Sequence, residues 1–253
     1  MFDVSARTGE LKVVAIIATK RAKVSFMLDL RVCQGNEIFY IIHTNTYMSM
    51  SGILSAMKAK WIVGIDEAGR GPLAGPVTVG LVKIPVDFDW ELVPGVRDSK
   101  KISEKKRDII YKQVLALHVQ KKLSYVVKSV SAASIDSKGI APAIRRAIDA
   151  GIGDLECDPV DTFIKLDGSL HASAEFEQET IIKGDDKELV IGLASIMAKV
   201  TRDRYMVGQD AKYPMYGLAQ HKGYGTKAHR EAIAEHGFSP IHRRSYCKNI
   251  KVL

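Results

Sequence analysis

A chain of 253 residues, 46% hydrophobic and 26% charged, has the balance of a soluble globular protein with one or two domains and a core of ordinary size. Lysine and arginine total 37 against 29 acids, a formal charge of +8 that favours polyanionic partners such as nucleic acid. No stretch approaches the ~18 consecutive apolar residues of a membrane span, and the scattered cysteines Cys33, Cys157 and Cys247 include no C-x-x-C pair, which argues against a zinc ribbon or a disulfide framework.

Charged residues Asp3, Arg7, Glu10 and Lys12 precede the short apolar run 13–17, and Lys20 and Arg21 follow it closely, a poor secretory signal. A cytoplasmic protein is expected. Residues 1–58 hold a second apolar run at 38–42 but no carboxylate-rich or glycine-rich motif. Two readings compete for them: a small appended β-rich segment, or an upstream extension ahead of a translation start at Met48, Met50 or Met57. Residues 59–253 are expected to form one domain.

From Trp61 the pattern is β-rich and then mixed. Residues 61–66 read as a buried strand, and 77–84 as a second ending at Pro85. Ser103 is a predicted N-cap for a helix to about Leu117, and 123–130 reads as a third strand. A helix over 140–150 carries Pro142 in its first turn and Gly151 as its stop. Residues 162–166 read as a strand ending at Asp167, and 179–183 as a short strand. A long helix over 188–207, a loop rich in Tyr, His, Lys and Gly over 213–225, and a helix over 226–235 complete the chain. Early strands followed by alternating helices and strands imply an α/β layered domain with a mixed sheet.

The segment Gly64-Ile65-Asp66-Glu67-Ala68-Gly69-Arg70-Gly71 is the richest in chemistry. Carboxylates collect hard divalent cations, glycines admit a ligand close to the backbone, and an arginine grips phosphate. Asp167 and Asp185 each end an apolar segment beside a glycine, which places them at a sheet rim where ligands of open α/β sheets gather. Several such oxygens suit two divalent ions roughly 4 Å apart, one to activate water and one to stabilise a leaving oxygen. Magnesium fits an all-oxygen site and manganese fits the same ligands. Because adjacent strand residues face opposite sides, Asp66 and Glu67 are expected to share a site only where the strand bends or ends between them. Taken alone, Asp167 and Asp185 also fit turn or cap aspartates. Lys199 and Arg202, on the long helix, read as surface charges or phosphate contacts; His229 reads as solvated, and His221 as solvated or facing nucleic acid.

The run Asp-Glu-Ala-Gly-Arg-Gly-Pro-Leu-Ala-Gly-Pro-Val from Asp66 resembles the signature of bacterial ribonuclease HII, a type 2 ribonuclease H. Further matches follow in family order: Val96 to Lys101, Leu166-Asp167-Gly168, Lys183 to Lys187, Ala194 to Asp203, His221 to Thr226 and Ser239 to Ser245. The resemblance covers about residues 60–246 and implies a ribonuclease H-like fold, with a mixed five-stranded sheet flanked by helices and a helical C-terminal part. It implies a metal-dependent endonuclease acting on RNA–DNA hybrids and on DNA duplexes containing ribonucleotides, with Mn2+ or Mg2+ held by Asp66, Glu67, Asp167 and Asp185. It implies that Gly69, Arg70 and Gly71 read the ribose 2′-hydroxyl with Tyr224, and that Ser99 and Lys100 bind the substrate, Lys100 through a backbone phosphate. Asp186 stands where the family has a small residue, and Asp136-Ser137-Lys138-Gly139 departs from the family's asparagine near Gly139. A monomer is expected. Two alternatives stand beside this reading: a ribonuclease HIII-like hybrid nuclease, against which the Gly-Arg-Gly triplet argues, and a protein that binds hybrids without cutting.

Overall fold

The computed structural model describes residues 3–7, 10–18, 25–32, 38–42, 46–48, 59–96 and 102–253. The chain divides into two compact units, Met1–Ala59 and Lys60–Leu253. In the first, β1 (Asp3–Arg7), β2 (Glu10–Ala18), β3 (Ser25–Val32), β4 (Ile38–Ile42) and β5 (Thr46–Met48) pair antiparallel in sequence order. The apolar runs 13–17 and 38–42 fall in β2 and β4.

The second unit is built on β6 (Trp61–Ala68), β7 (Val77–Pro85), α1 (Glu104–Val119), β8 (Ser124–Val130), α2 (Ala132–Lys138), α3 (Ile140–Asp154), β9 (Thr162–Asp167) and β10 (Glu177–Ile181). It continues with α4 (Gly184–Lys187), α5 (Leu189–Asp210), α6 (Leu218–His221) and α7 (Lys227–His236). The sheet order is β10-β9-β6-β7-β8; β6, β7 and β8 pair antiparallel, while β9 runs parallel to both β6 and β10. This is the expected mixed five-stranded sheet.

Strand periodicity sorts the two faces. Val63, Ile65, Val77, Val79 and Leu81 join Ile144 and Ile148 of α3 in one core, and Val82 and Ile84 join α1 and α5 in another. Gly64 and Gly80 lie on the α5 face, where a Cβ would come within 2.3 Å of the Val190 carbonyl oxygen and 2.2 Å of that of Ala194. Their missing side chains let the helix backbone sit directly on the sheet. A third cluster, Leu73, Ala74, Met206, Tyr216, Leu218, Ile233 and Cys247, packs the C-terminal segment on the loop after β6.

Several boundaries differ from the sequence reading. Gly151 is not a stop: α3 continues to Asp154, and a Cβ at Gly151 would lie 2.4 Å from Leu81 Cδ1, so its role is close packing on β7. Helix α2 was not expected; the Ser131 hydroxyl caps it by accepting from Ser134 N–H, and Gly139, at φ +85°, ends it. Strand β10 ends at Ile181, so Asp185 sits in the single turn α4 and not at a strand end. The expected loop over 213–225 contains the short helix α6 and a 3-10 turn, Pro214–Tyr216.

Candidate active site

The sheet register assembles the acids. Ile65 pairs with Leu166, and both side chains enter the α3-side core. The next residues, Asp66 and Asp167, therefore turn to the opposite face, toward α5. Of the two routes the sequence reading allowed, a bend or an end between Asp66 and Glu67, the strand does not take the second: β6 pairs with β7 as far as Ala68–Thr78. Its pairing with β9 stops at Ile65, however, so the last turn of strand has one open edge. There Asp66, Glu67 and Asp167 line a single cavity of about 430 Å³, together with Gly69, Arg70, Gly71, Arg107, Ser195, Lys199 and Tyr224.

Asp66 is 4% exposed. Burial pushes its carboxyl well above the usual range; a hydrogen bond from Ser195 opposes the rise, and the neighbouring Glu67 and Asp167 charges add to it. One of its oxygens accepts the Glu67 N–H at 2.7 Å. Burial also raises Glu67, against the pull of Arg70, whose Nε donates to Glu67 Oε1 at 2.8 Å. Asp167 Oδ1 accepts the Gly184 N–H at 2.6 Å, which ties β9 to α4. Asp185 is buried on α4, directly after the Gly184 whose N–H Asp167 accepts, and lines a second cavity with Asp186, Lys165 and Glu188. Asp186 is exposed. Among the described residues, no three His, Cys, Asp or Glu side chains are already drawn together closely enough to hold a metal ion. The donor set nevertheless fits a hard divalent cation: the Glu67 and Asp167 charges raise the affinity of Asp66 for positive charge, Asp167 does the same for Glu67, and among the described residues Arg70 is the guanidinium bonded to Glu67.

The loop after β6 lines the same cavity. Gly69 has φ +90°, and a Cβ there would lie 2.0 Å from Arg202 Nε, so the position needs glycine for conformation and for space. A Cβ at Gly71 would meet nothing within 4 Å; its bareness faces open space. Arg202 and Arg243 are buried behind the loop. Arg202 donates to the carbonyls of Pro76 and Ala74, and Arg243 to those of Gly75, Arg70 and Gly69. Arg202 is thus neither a surface charge nor a phosphate contact. Tyr224, 44% exposed, presents its ring to the cavity 6.0 Å from Lys199 Nζ, and the preceding Gly223 carbonyl accepts from Leu73 and Ala74 N–H. Lys199 lines the site and also pairs with Asp203 at 2.9 Å.

The histidines are corrected too. His229 is fully buried and not solvated, and His242 is buried against it, with their Nε2 atoms 3.1 Å apart. His221 stacks on His229, and its Nε2 lies 2.7 Å from the Tyr216 carbonyl oxygen. Ser99 and Lys100 lie outside the described residues. Sequence reasoning gave no role to Ser195, Arg107 or Arg243. Ser195 falls one residue after Ala194, over Gly80, and this alignment emerges only once the helix is laid on the sheet.

The family model of ribonuclease HII matches residues 63–249. The ribonuclease HII of Bacillus anthracis is 44% identical over 203 residues, covering 79% of this chain and 75% of that protein. Among solved structures, ribonuclease H2 of Pyrococcus horikoshii OT3 superposes with a TM-score of 0.62 at 25% identity, over 76% of this chain and 97% of that one. Bst-RNase HIII in complex with Mn2+ superposes at 0.54 with 15% identity, over 89% and 80% of the respective chains, a likeness of fold.

Proposed function

The chain belongs to the ribonuclease HII family, a family of divalent-metal-dependent ribonuclease H hydrolases that act on RNA–DNA hybrids, and on that footing we propose where and how it cuts. The substrate is a duplex carrying ribonucleotides, down to one embedded in DNA. Water displaces the 3′-oxygen of the preceding nucleotide from the phosphate on the 5′ side of the ribonucleotide. The products carry a 3′-hydroxyl and a 5′-phosphate, as removal of ribonucleotides or RNA primers from DNA requires.

The observation that supports this most is the shared cavity, which three carboxylates, the Gly-Arg-Gly loop and Tyr224 line together. Asp66, Glu67 and Asp167, with Asp185 from α4, would hold Mg2+ or Mn2+, which when bound supplies Lewis acidity toward the phosphate and the attacking water. The chain's own groups supply the rest. Lys199 and Arg107 bring positive charge to a cavity otherwise dominated by acids. Arg70 neutralises Glu67 from the loop side. Ser195 holds the Asp66 carboxyl, and the Asp167–Gly184 bond keeps α4 against the sheet rim. Backbone amides beside bare glycines and a tyrosine hydroxyl are suited to test for a 2′-hydroxyl, the group that separates RNA from DNA. Lys100, with Ser99, would hold a flanking phosphate; Arg107, whose Nη1 donates to Ile102 O at 2.7 Å, secures the chain just after them.

The test is cleavage of an end-labelled DNA duplex with one ribonucleotide, in Mg2+ or Mn2+ and in chelator. A single metal-dependent cut 5′ to the ribonucleotide is expected. Cleavage confined to long hybrids would point to the HIII-like specificity, and binding without any product would overturn the assignment of chemistry.

A further inference from the structure

Two fully buried arginines in one small region require a reason, because a buried cation costs several kcal/mol unless it is repaid. Arg243 is 0% exposed and Arg202 1%. Three N–H groups of Arg243 go to backbone carbonyls and not to carboxylates. Together the two side chains hold five carbonyls of residues 69–76: Gly69, Arg70, Ala74, Gly75 and Pro76.

Two of these bonds bear on the cavity. Arg243 Nη2 donates to Gly69 O at 2.7 Å and Nη1 to Arg70 O at 3.0 Å, so one planar guanidinium spans two consecutive peptide carbonyls. In a trans peptide the N–H points away from its C=O, and the described residues contain no cis bond. The N–H groups sharing those peptides belong to Arg70 and Gly71. Drawing both carbonyls inward turns both amides outward, toward the cavity that these residues line. Successive amides on one side of the chain form a concave donor pair for an electron-rich atom. The bare Gly71 leaves room for such an atom to approach.

We propose that Arg243 is a positioning residue for ribose recognition, fixing the Arg70 and Gly71 amides as a paired donor for the ribose 2′-oxygen. This rests on the function proposed above and adds to it the residue behind the reading loop. Arg243 is itself held on both sides. Its N–H donates to Leu73 O at 2.7 Å, and the next two amides, of Arg244 and Ser245, donate to the Asp136 carboxylate at 2.8 and 3.0 Å. Asp136 thus anchors the segment that carries this arginine.

Arg243→Lys keeps the charge and the stem but replaces a planar fork with a point donor. The measurement is fluorescence anisotropy, with chelator present, of binding to a DNA duplex with one ribonucleotide and to its all-deoxy counterpart. In the variant the preference for the ribonucleotide should fall by about tenfold, the scale of one hydrogen bond, with less than about a twofold change on all-DNA. A purely structural defect would lower the amount of competent protein and leave the ratio intact, so an unchanged ratio overturns the proposal. If the native protein shows no preference, the 2′-hydroxyl reading itself fails, and the inference with it. Should the variant not fold, amide resonances of the native protein decide. Those of Arg70 and Gly71 should move with the ribonucleotide duplex and not with all-DNA; equal movement with both would overturn the proposal.

Discussion

Asp66 combines stability cost with function. Its carboxyl is buried beside two other acids, and its folded-state pKa is raised, so ionisation near neutral pH works against the metal-free fold. Asp66→Asn should therefore abolish cleavage while the metal-free protein gains on the order of 1 kcal/mol, measured by urea denaturation in chelator. Near-normal turnover by that variant would remove Asp66 from the metal site. The two loop glycines make a contrasting pair. Gly69→Ala meets Arg202 Nε at 2.0 Å in a positive-φ position and should lose roughly 2–4 kcal/mol. Gly71→Ala meets no protein atom, and should fold within about 0.5 kcal/mol of the native protein yet bind ribonucleotide duplexes more weakly. Equal destabilisation by both substitutions would contradict this division of roles. Asp66, Glu67 and the glycines were legible in the sequence because their chemistry lies within six consecutive residues. Arg243 lies more than 170 residues from the carbonyls it holds at Gly69 and Arg70, and the Ser239–Ser245 match that contains it points to no role for it.

At the scale of elements, the site depends on how closely α5 lies on β6 and β7. Gly80 sits beneath Ala194, and Ser195, which bonds Asp66, is the next residue. Gly80→Ala would press a methyl against the Ala194 carbonyl, a backbone atom that cannot rotate away. The helix must lift, and a loss of about 3 kcal/mol in urea denaturation is expected, together with weaker cleavage as Ser195 leaves Asp66. Unchanged stability would show that the helix tolerates a wider spacing. The strands and long helices were readable from apolar periodicity and from caps such as Ser103, which accepts the Lys106 N–H. The misread positions were those where tertiary packing, not local preference, sets the residue. Gly151 is a glycine because Leu81 fills its place. Asp185 looked like a strand end because the apolar pair Ile181-Ile182 precedes it, yet Ile182 is 73% exposed and the chain has already turned. Helix α2 is only seven residues long, too short for its period to show.

At the scale of the molecule, the C-terminal segment braces the active-site loop from behind, and its buried histidines make that brace sensitive to acid. His242 Nδ1 accepts the Ser239 N–H at 2.9 Å, so its proton sits on Nε2 and faces His229 Nε2. His229 in turn directs Nδ1 to the Tyr224 carbonyl at 2.9 Å. Both rings fit only as neutral tautomers, since a further proton would set N–H against N–H. Burial pushes each down to about 4, helped at His229 by His221 and Arg230 and at His242 by His229 and His221. The unfolded chain titrates them near 6.5, so it binds protons first as pH falls. Their stabilising contribution is complete above that value and is lost between roughly pH 6.5 and 4, on the order of 3 kcal/mol by pH 5. Asp66 has the opposite sign: its raised pKa favours the folded state as pH falls and would mask part of the loss. The Asp66→Asn variant removes that opposing group. Both tryptophans, Trp61 and Trp90, lie in the second unit, so their fluorescence follows the unfolding that matters. In that variant the melting temperature should fall by about 6–12 °C between pH 7 and 5. A flat profile would mean that the histidine pair accepts a proton without loosening the segment that carries Arg243 and Tyr224.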